Sequence, residues 1–396
     1  AVAMSPVLAV LYHEPKLVAI NAALALGFVF NSVGIQHGAM LQREMRFTAV
    51  AIINTTSLLV SGAVAIVTAR LGFRYWALVL MAVTFPLAMS ISSWVASGWS
   101  PGRPHRRAGI RSMIRFGGTL TANSLVVYVA NNLDKVLLGK YWGVNALGIY
   151  GRAYQLVSIP IDNLNSSAGE VAFSALSRIQ SDASRLRNYF LKGYALILAI
   201  TIPITIACAL FANDIITILL GPKWHAAIPI FRLLAPTILG FAIVNPFGWF
   251  LYSRGMAGRA LKMALVIAPI MIIGYIVGLK KGPEGVALAY SVVMVLWIIP
   301  AICWAIHGTT LSLREVIATV ARPLGAGVAS GLLAFAAAFA CAHVSSLVRL
   351  VVEMFVLLSS YGFLLLFVTG DRALYMDVLR GVRGTPVAEE KSLVAT

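Results

Sequence analysis

Eleven apolar stretches, each close to the length that crosses a bilayer, follow one another along the 396 residues. A transmembrane helix needs about 20 such residues, because lipid offers its backbone no hydrogen-bond partners. The stretches lie near 17–37, 48–69, 75–96, 116–139, 144–167, 191–211, 228–250, 261–279, 285–306, 318–341 and 346–369. The opening AVAMSPVLAVLY reads as the second half of a further span, without the charged start of a signal peptide. The fold class this predicts is all-α, a polytopic transmembrane helix bundle with about eleven full spans and one partial span.

Composition points the same way. Apolar residues make up 60% of the chain and charged residues only 11%, where roughly 25% charged is usual in soluble proteins. So few charges could not cover a water-facing surface of this size. The 31 Lys and Arg against 14 Asp and Glu give a formal charge of +17. In a membrane chain that excess belongs to cytoplasmic loops beside anionic lipid, so no nucleic-acid partner is expected.

The gaps between spans carry the excess unevenly. Alternate gaps at 41–47, 97–115, 170–192, 253–262, 307–322 and after 370 hold 20 basic residues. The other set holds 8, and Lys135, Arg152 and Arg232 fall within spans. The asymmetry predicts a cytoplasmic C-terminal tail. The segment Glu170–Lys192 places Val171, Phe173, Leu176, Ile179 and Leu186 at roughly helical spacing. It is expected to lie as a helix on the cytoplasmic membrane surface.

Enzyme chemistry finds little support. Cys208, Cys303 and Cys341 stand alone, the histidines are scattered, and His105 sits in an Arg-rich loop. Neither metal, cofactor nor disulfide is expected. There is no GxxxxGK[ST] loop, so the chain is not expected to hydrolyse ATP.

The chain repeats itself at an offset of 210: Gly38 and Leu41 match Gly248 and Leu251, and Gly72 to Leu78 match Gly282 to Leu288. Transporters built from two related halves show such repeats. The expected organisation is the remainder of a first lobe over 1–96, a basic linker over 97–115, and a six-helix second lobe over 116–306. A terminal helix pair over 318–369 and a tail over 370–396 follow. By the same offset, the first lobe would begin about 95 residues before Ala1.

The stretch FGGTLTANSLVVYVANNLDKVLLGKYWGVNALGIYGRAYQLVSIP, then FSALSRIQSDASRLRNYF, carries a specific pattern. Asn132 with Asp134, Gly139, Gly143, Leu147-Gly148-x-Tyr150, Ala153 and Pro160 belong to it, as do LLGPKW at 219–224 and LQREMRF at 41–47. With these the chain resembles the Wzx-type oligosaccharide flippases of the multidrug/oligosaccharidyl-lipid/polysaccharide exporter superfamily, nearest the colanic-acid and succinoglycan exporter branch. The resemblance implies fourteen helices in two six-helix lobes around a central cavity, with a final pair. It implies a transporter, not an enzyme, that moves polyprenyl-pyrophosphate-linked oligosaccharide units across the bacterial inner membrane by alternating access. The implied partners are an undecaprenyl-pyrophosphate-type lipid-linked oligosaccharide, membrane lipid, and a polysaccharide polymerase with its chain-length regulator. The first two helices, which carry cationic cavity residues in relatives, have no counterpart here.

Polar residues inside spans are the candidate site. Such groups are expensive in lipid and face protein or water. Ser124, Tyr128, Asn131 and Lys135 share one face of 116–139, with Asn132 and Asp134 beside them. Arg152, Gln155, Asp162 and Asn165 share a face of 144–167. Each stripe could line a water-filled cavity or bond helix to helix. Asp134 and Arg152 lie nine residues either side of 143, hence at equal depth in an antiparallel hairpin, roughly 13 Å from the turn. They are expected to form an ion pair, or Arg152 and Lys135 to meet the substrate's pyrophosphate. Gly327 and Gly331 are expected to let helices approach closely. Pro160, Pro236 and Pro246 are candidate hinges, and Trp76, Trp224, Trp249 and Trp304 candidate interface anchors. The rival functions are an integral-membrane polymerase or glycosyltransferase, and a drug/cation antiporter of the same superfamily.

Overall fold

Over its described residues, each of the eleven apolar stretches coincides to within a residue or so with helix in the computed structural model, and no strand occurs among the described residues. The structure describes residues 5–12, 14–100, 102, 111–179, 182–340 and 344–368. Side chains at 7, 8, 11, 12, 112, 116, 164–168, 170, 171, 173–175, 177, 178 and 340 are outside that description. His105, residues 101 and 103–110 of the basic linker and the 370–396 tail therefore lie outside the described residues.

The helices are α1 (Ser5–Tyr12), α2 (Lys16–Arg43), α3 (Phe47–Arg70), α4 (Trp76–Ser97) and α5 (Arg111–Arg178). They continue as α6 (Ala183–Leu210), α7 (Ala212–Leu219), α8 (Ala227–Ser253), α9 (Ala257–Gly278), α10 (Gly282–Ile306), α11 (Leu313–Ala340) and α12 (Ser346–Phe363). Gly143, at φ 81° and ψ 177°, breaks α5 into arms at 111–142 and 144–178. Among the described residues, eight stretches are long and apolar enough to cross a membrane, one being the 50-residue Ala257–Ile306 that contains both α9 and α10. The arms of α5 fall short of that measure because Asn, Asp, Lys and Arg interrupt their apolar faces. The protein is a multi-pass membrane protein.

Two compact units divide the chain, at Ala1–Ala108 and Gly109–Thr396. In the first, α4 packs on both α2 and α3. Gly34 allows the close approach of α2 and α4, since a Cβ there would lie 2.7 Å from Ser90 Cα. The Ser90 hydroxyl donates to the Phe30 carbonyl, and Trp94 Nε1 donates to Val33 O at 3.0 Å.

The 210-residue repeat recurs as geometry within each unit. Left-handed residues end the matched helices: Met45 at φ 59° after α2, and Gly255 at φ 72° after α8. Arg46 N donates to Leu41 O at 2.9 Å, and Met256 N donates to Leu251 O at 2.8 Å. Two spans later Gly72 and Gly282 are again both left-handed, at φ 86° and 69°. At the first of these turns the same backbone bend is made by Met45 in one copy and Gly255 in the other.

The second unit holds two large apolar clusters. Leu138, Tyr150, Phe231, Tyr275 and Tyr290 belong to one, and Phe190, Tyr194, Phe247 and Phe250 to the other. Glu170–Lys192 does not form a separate surface helix as expected. Residues 170–178 continue α5, and Asp182 caps a new helix by accepting from Arg185 N at 3.0 Å. Leu176 and Leu186 are buried in the core, which ties both helix ends inward. Helix α8 runs unbroken through Pro236 and Pro246, and Trp249 packs against Gly169 of α5, 3.0 Å from a Cβ built there.

Gly327 and Gly331 act as packing residues. A Cβ on Gly327 would lie 2.9 Å from Ile206 Cδ1, and one on Gly331 would lie 2.9 Å from Ile206 Cγ2, so α11 rests directly on α6. Gly325, two residues earlier, has open space around it. Gly327→Leu is expected to lower stability by about 1–3 kcal/mol through overpacking, and Gly325→Leu to change it little. Thermal unfolding in detergent checks this, and equal effects from both would contradict the packing role.

A polar hairpin as the candidate functional site

The two arms of α5 form an antiparallel hairpin because only a residue without Cβ sits easily at Gly143's φ of 81°. Trp142 fastens the tip: its Nε1 donates to Leu279 O at 2.9 Å, and its ring covers Gly282 at 3.2 Å from a Cβ built there.

Inside the hairpin Asp134 is fully buried. Its Oδ2 accepts from the Tyr150 hydroxyl at 2.6 Å, and its Oδ1 from Lys135 N at 2.7 Å. The Lys135 ammonium lies 3.6 Å from Asp134 Oδ1 and keeps 26% of its side chain exposed. It donates to Asn131 O at 2.9 Å and Asn132 Oδ1 at 3.3 Å, and it sits 3.7 Å from the centre of the Tyr154 ring. Asn132 Nδ2 in turn donates to Tyr128 O at 2.8 Å. A buried charge persists only with a partner and hydrogen bonds, and Asp134 has both.

A tier of tyrosines backs this pair. Tyr154 stacks between Tyr150 and Tyr290, at 6.3 and 6.4 Å between ring centres, and Tyr275 meets Tyr290 edge-on at 5.8 Å. Of these four only Tyr150 stood out in the sequence, as part of the Wzx-type pattern. Tyr150 and Tyr154 stand at i and i+4, one helix face, and that spacing beside Asp134 was the available signal.

The ion pair expected between Asp134 and Arg152 does not form. Asp134 bonds Tyr150, two residues earlier than the position nine from the tip. Two residues turn a helix by about 200°, which carries Arg152 to the opposite face. Arg152 is exposed there and its Nη1 donates to Gln155 Oε1 at 2.9 Å. Asn131, Asn132, Asp134 and Lys135 are thus brought together, while Arg152 and Gln155 form a second, exposed pair. Asp162 is exposed further along the same arm, and the Asn165 side chain lies outside the described residues.

The hairpin therefore offers two cations in different states. Lys135 is held by four neighbours. Arg152 has one neutral partner and most of its five donors open, a fork suited to a phosphate or carboxylate.

Comparison with known proteins gives a consistent picture. Residues 1–229 match the family described as polysaccharide biosynthesis protein. Over 294 residues the chain is 27% identical to the lipopolysaccharide biosynthesis protein WzxC of Escherichia coli K12, covering 72% of this chain and 58% of WzxC. It is 26% identical over 344 residues to the teichuronic acid biosynthesis protein TuaB of Bacillus subtilis 168, covering 86% of this chain and 71% of TuaB. The succinoglycan biosynthesis transport protein ExoT of Rhizobium meliloti is 22% identical over 223 residues, covering 56% of this chain and 44% of ExoT. Among solved structures, the lipid II flippase MurJ in an inward closed conformation matches 89% of this chain and 74% of its own, with TM-score 0.66 and 14% identity. That likeness is one of fold.

Proposed function

The chain belongs to the polysaccharide biosynthesis protein family, and from that premise we propose that it flips polyprenyl-pyrophosphate-linked oligosaccharide units across the bacterial inner membrane by alternating access. The family match over residues 1–229 carries this proposal, and the names of WzxC, TuaB and ExoT support surface polysaccharide assembly as its setting. In this scheme Arg152 contacts the pyrophosphate through its open fork, with Gln155 and Asp162 on the same arm. Lys135 with Asn131 and Asn132 lends positive potential from the opposite arm, and Asp134 holds Lys135 in place. Asn165 is a further candidate by its place in the sequence of that arm.

The proposed organisation keeps the basic linker at 97–115, the second lobe at 116–306 and the terminal pair at 318–369. The 20-to-8 division of basic residues supports a cytoplasmic C-terminus. A polysaccharide polymerase and a chain-length regulator are the proposed protein partners, and the chain itself performs no catalysis.

Deletion of the full-length gene tests the proposal. Surface polysaccharide should be lost while lipid-linked units accumulate on the cytoplasmic face. Units that reach the outer face but stay unpolymerised would instead assign the protein a polymerase role.

A further inference from the structure

Away from the hairpin, at the start of α12, one guanidinium meets two carboxyl groups. Arg349 forks Asp214 of α7: its Nε donates to Asp214 Oδ2 at 2.8 Å and its Nη2 donates to Oδ1. Glu353, one turn further along α12, brings Oε1 to 3.9 Å from Arg349 Nε. That is too far for a hydrogen bond. Its second oxygen, Oε2, is buried and meets no donor among the described residues, and the residue as a whole is only 2% exposed. Glu353 lies two turns into a 23-residue apolar stretch, Ser346–Val368, away from either end.

Among the described residues, the parts of the neighbouring elements that adjoin Glu353 supply no other charge, since Arg314, Glu315 and Arg322 of α11 and Arg185, Arg187 and Lys192 of α6 lie toward the far ends of those helices. Asp214 is the one titratable side chain of α7, and the adjoining end of α6 carries only the thiol of Cys208. The facing stretch of α11, 326–339, and the last turn, 364–368, carry none. Ala207, Phe211, Ala334 and Leu357 form an apolar cluster around this junction. Cys341 and His343 lie outside the described residues.

Charge balance distinguishes the two carboxyl groups. The Asp214–Arg349 fork is neutral as it stands, and it consumes the geometry that Glu353 would need. An ionised Glu353 would leave one unbalanced charge in apolar surroundings, which proteins avoid by neutralising the group. We propose that Glu353 is a proton-binding site, a carboxylic acid that keeps its proton while the Asp214–Arg349 fork is closed. When water reaches Oε2, the O–H bond breaks and the proton passes to that water. The bonding pair stays on Glu353 as carboxylate, which then competes with Asp214 for Arg349. Proton release thereby loosens α12 from α7. This inference is independent of the transport proposal.

Infrared spectroscopy of the full-length protein in lipid vesicles tests it. At neutral pH the wild type should show the carbonyl band of a protonated carboxylic acid that shifts with isotopically labelled glutamate and not with labelled aspartate. Glu353→Gln should lose the band, and His343→Gln should keep it. Glu353→Asp, which retains an acid, should transfer the band to the aspartate-labelled spectrum and keeps the test open if the Gln variant fails to fold. Absence of a glutamate-sensitive band in the wild type, or its survival in Glu353→Gln, would overturn the proposal.

Discussion

Asp134→Ala should destabilise the protein by about 3–5 kcal/mol, the range for removing one member of a buried charge pair. The carboxylate is fully buried, accepts from Tyr150 and from Lys135 N, and pairs with the Lys135 ammonium as an ion partner. Its removal orphans the Tyr150 hydroxyl in the core and leaves Lys135 with carbonyl and ring contacts alone. Tyr150→Phe removes one bond to a charged group and should cost about 1.5–3 kcal/mol. Unfolding in detergent measures both. An Asp134→Ala variant within about 0.5 kcal/mol of wild type, the size of an ordinary surface change, would remove Asp134 from the scaffold of the hairpin.

Arg152→Ala should do the reverse, leaving stability within about 0.5 kcal/mol and lowering transport. The side chain is exposed and its one hydrogen bond is to Gln155. A hydrogen bond to a charged group contributes about 1.5–3 kcal/mol, which is roughly ten- to hundredfold in the rate at which a pyrophosphate-bearing substrate is handled. Arg152→Lys should retain part of the activity, since an ammonium keeps the charge and loses the planar fork.

The helices themselves were legible in the sequence because lipid forces backbone pairing inside each span, so runs of predominantly apolar residues mark them, including the α5 arms that polar residues interrupt. The matches to WzxC, TuaB and ExoT likewise bear out the Wzx-type resemblance carried by the Asn132–Pro160 motif. The helical spacing of apolar residues along 170–192 misled for a related reason. Alternating apolar and charged residues fit a surface helix, and they fit equally well two helix ends that dip Leu176 and Leu186 into a core around a turn.

At the hairpin, sequence spacing gave depth but not rotation. The register set by Asp134 and Tyr150 turns Arg152 outward. No count of residues from Gly143 fixes that rotation, because it depends on how the two arms pack. Tyr275 and Tyr290 reach the site from α9 and α10, more than a hundred residues away in the chain. The Asp214–Arg349–Glu353 junction is equally remote in sequence, joining α7 to α12.

The most direct test of the account follows one lipid across one membrane. Full-length protein, wild type or Arg152→Ala, is reconstituted in vesicles with a polyprenyl-pyrophosphate-linked oligosaccharide, and the fraction accessible to an externally added glycan-modifying enzyme is followed in time. Wild-type protein should equilibrate the lipid between leaflets, and Arg152→Ala should do so about ten- to hundredfold more slowly at equal folded content, the range one charged hydrogen bond allows. No exchange by well-folded wild type, or equal exchange by both proteins, would contradict the proposed flipping of a pyrophosphate-linked substrate through the α5 hairpin.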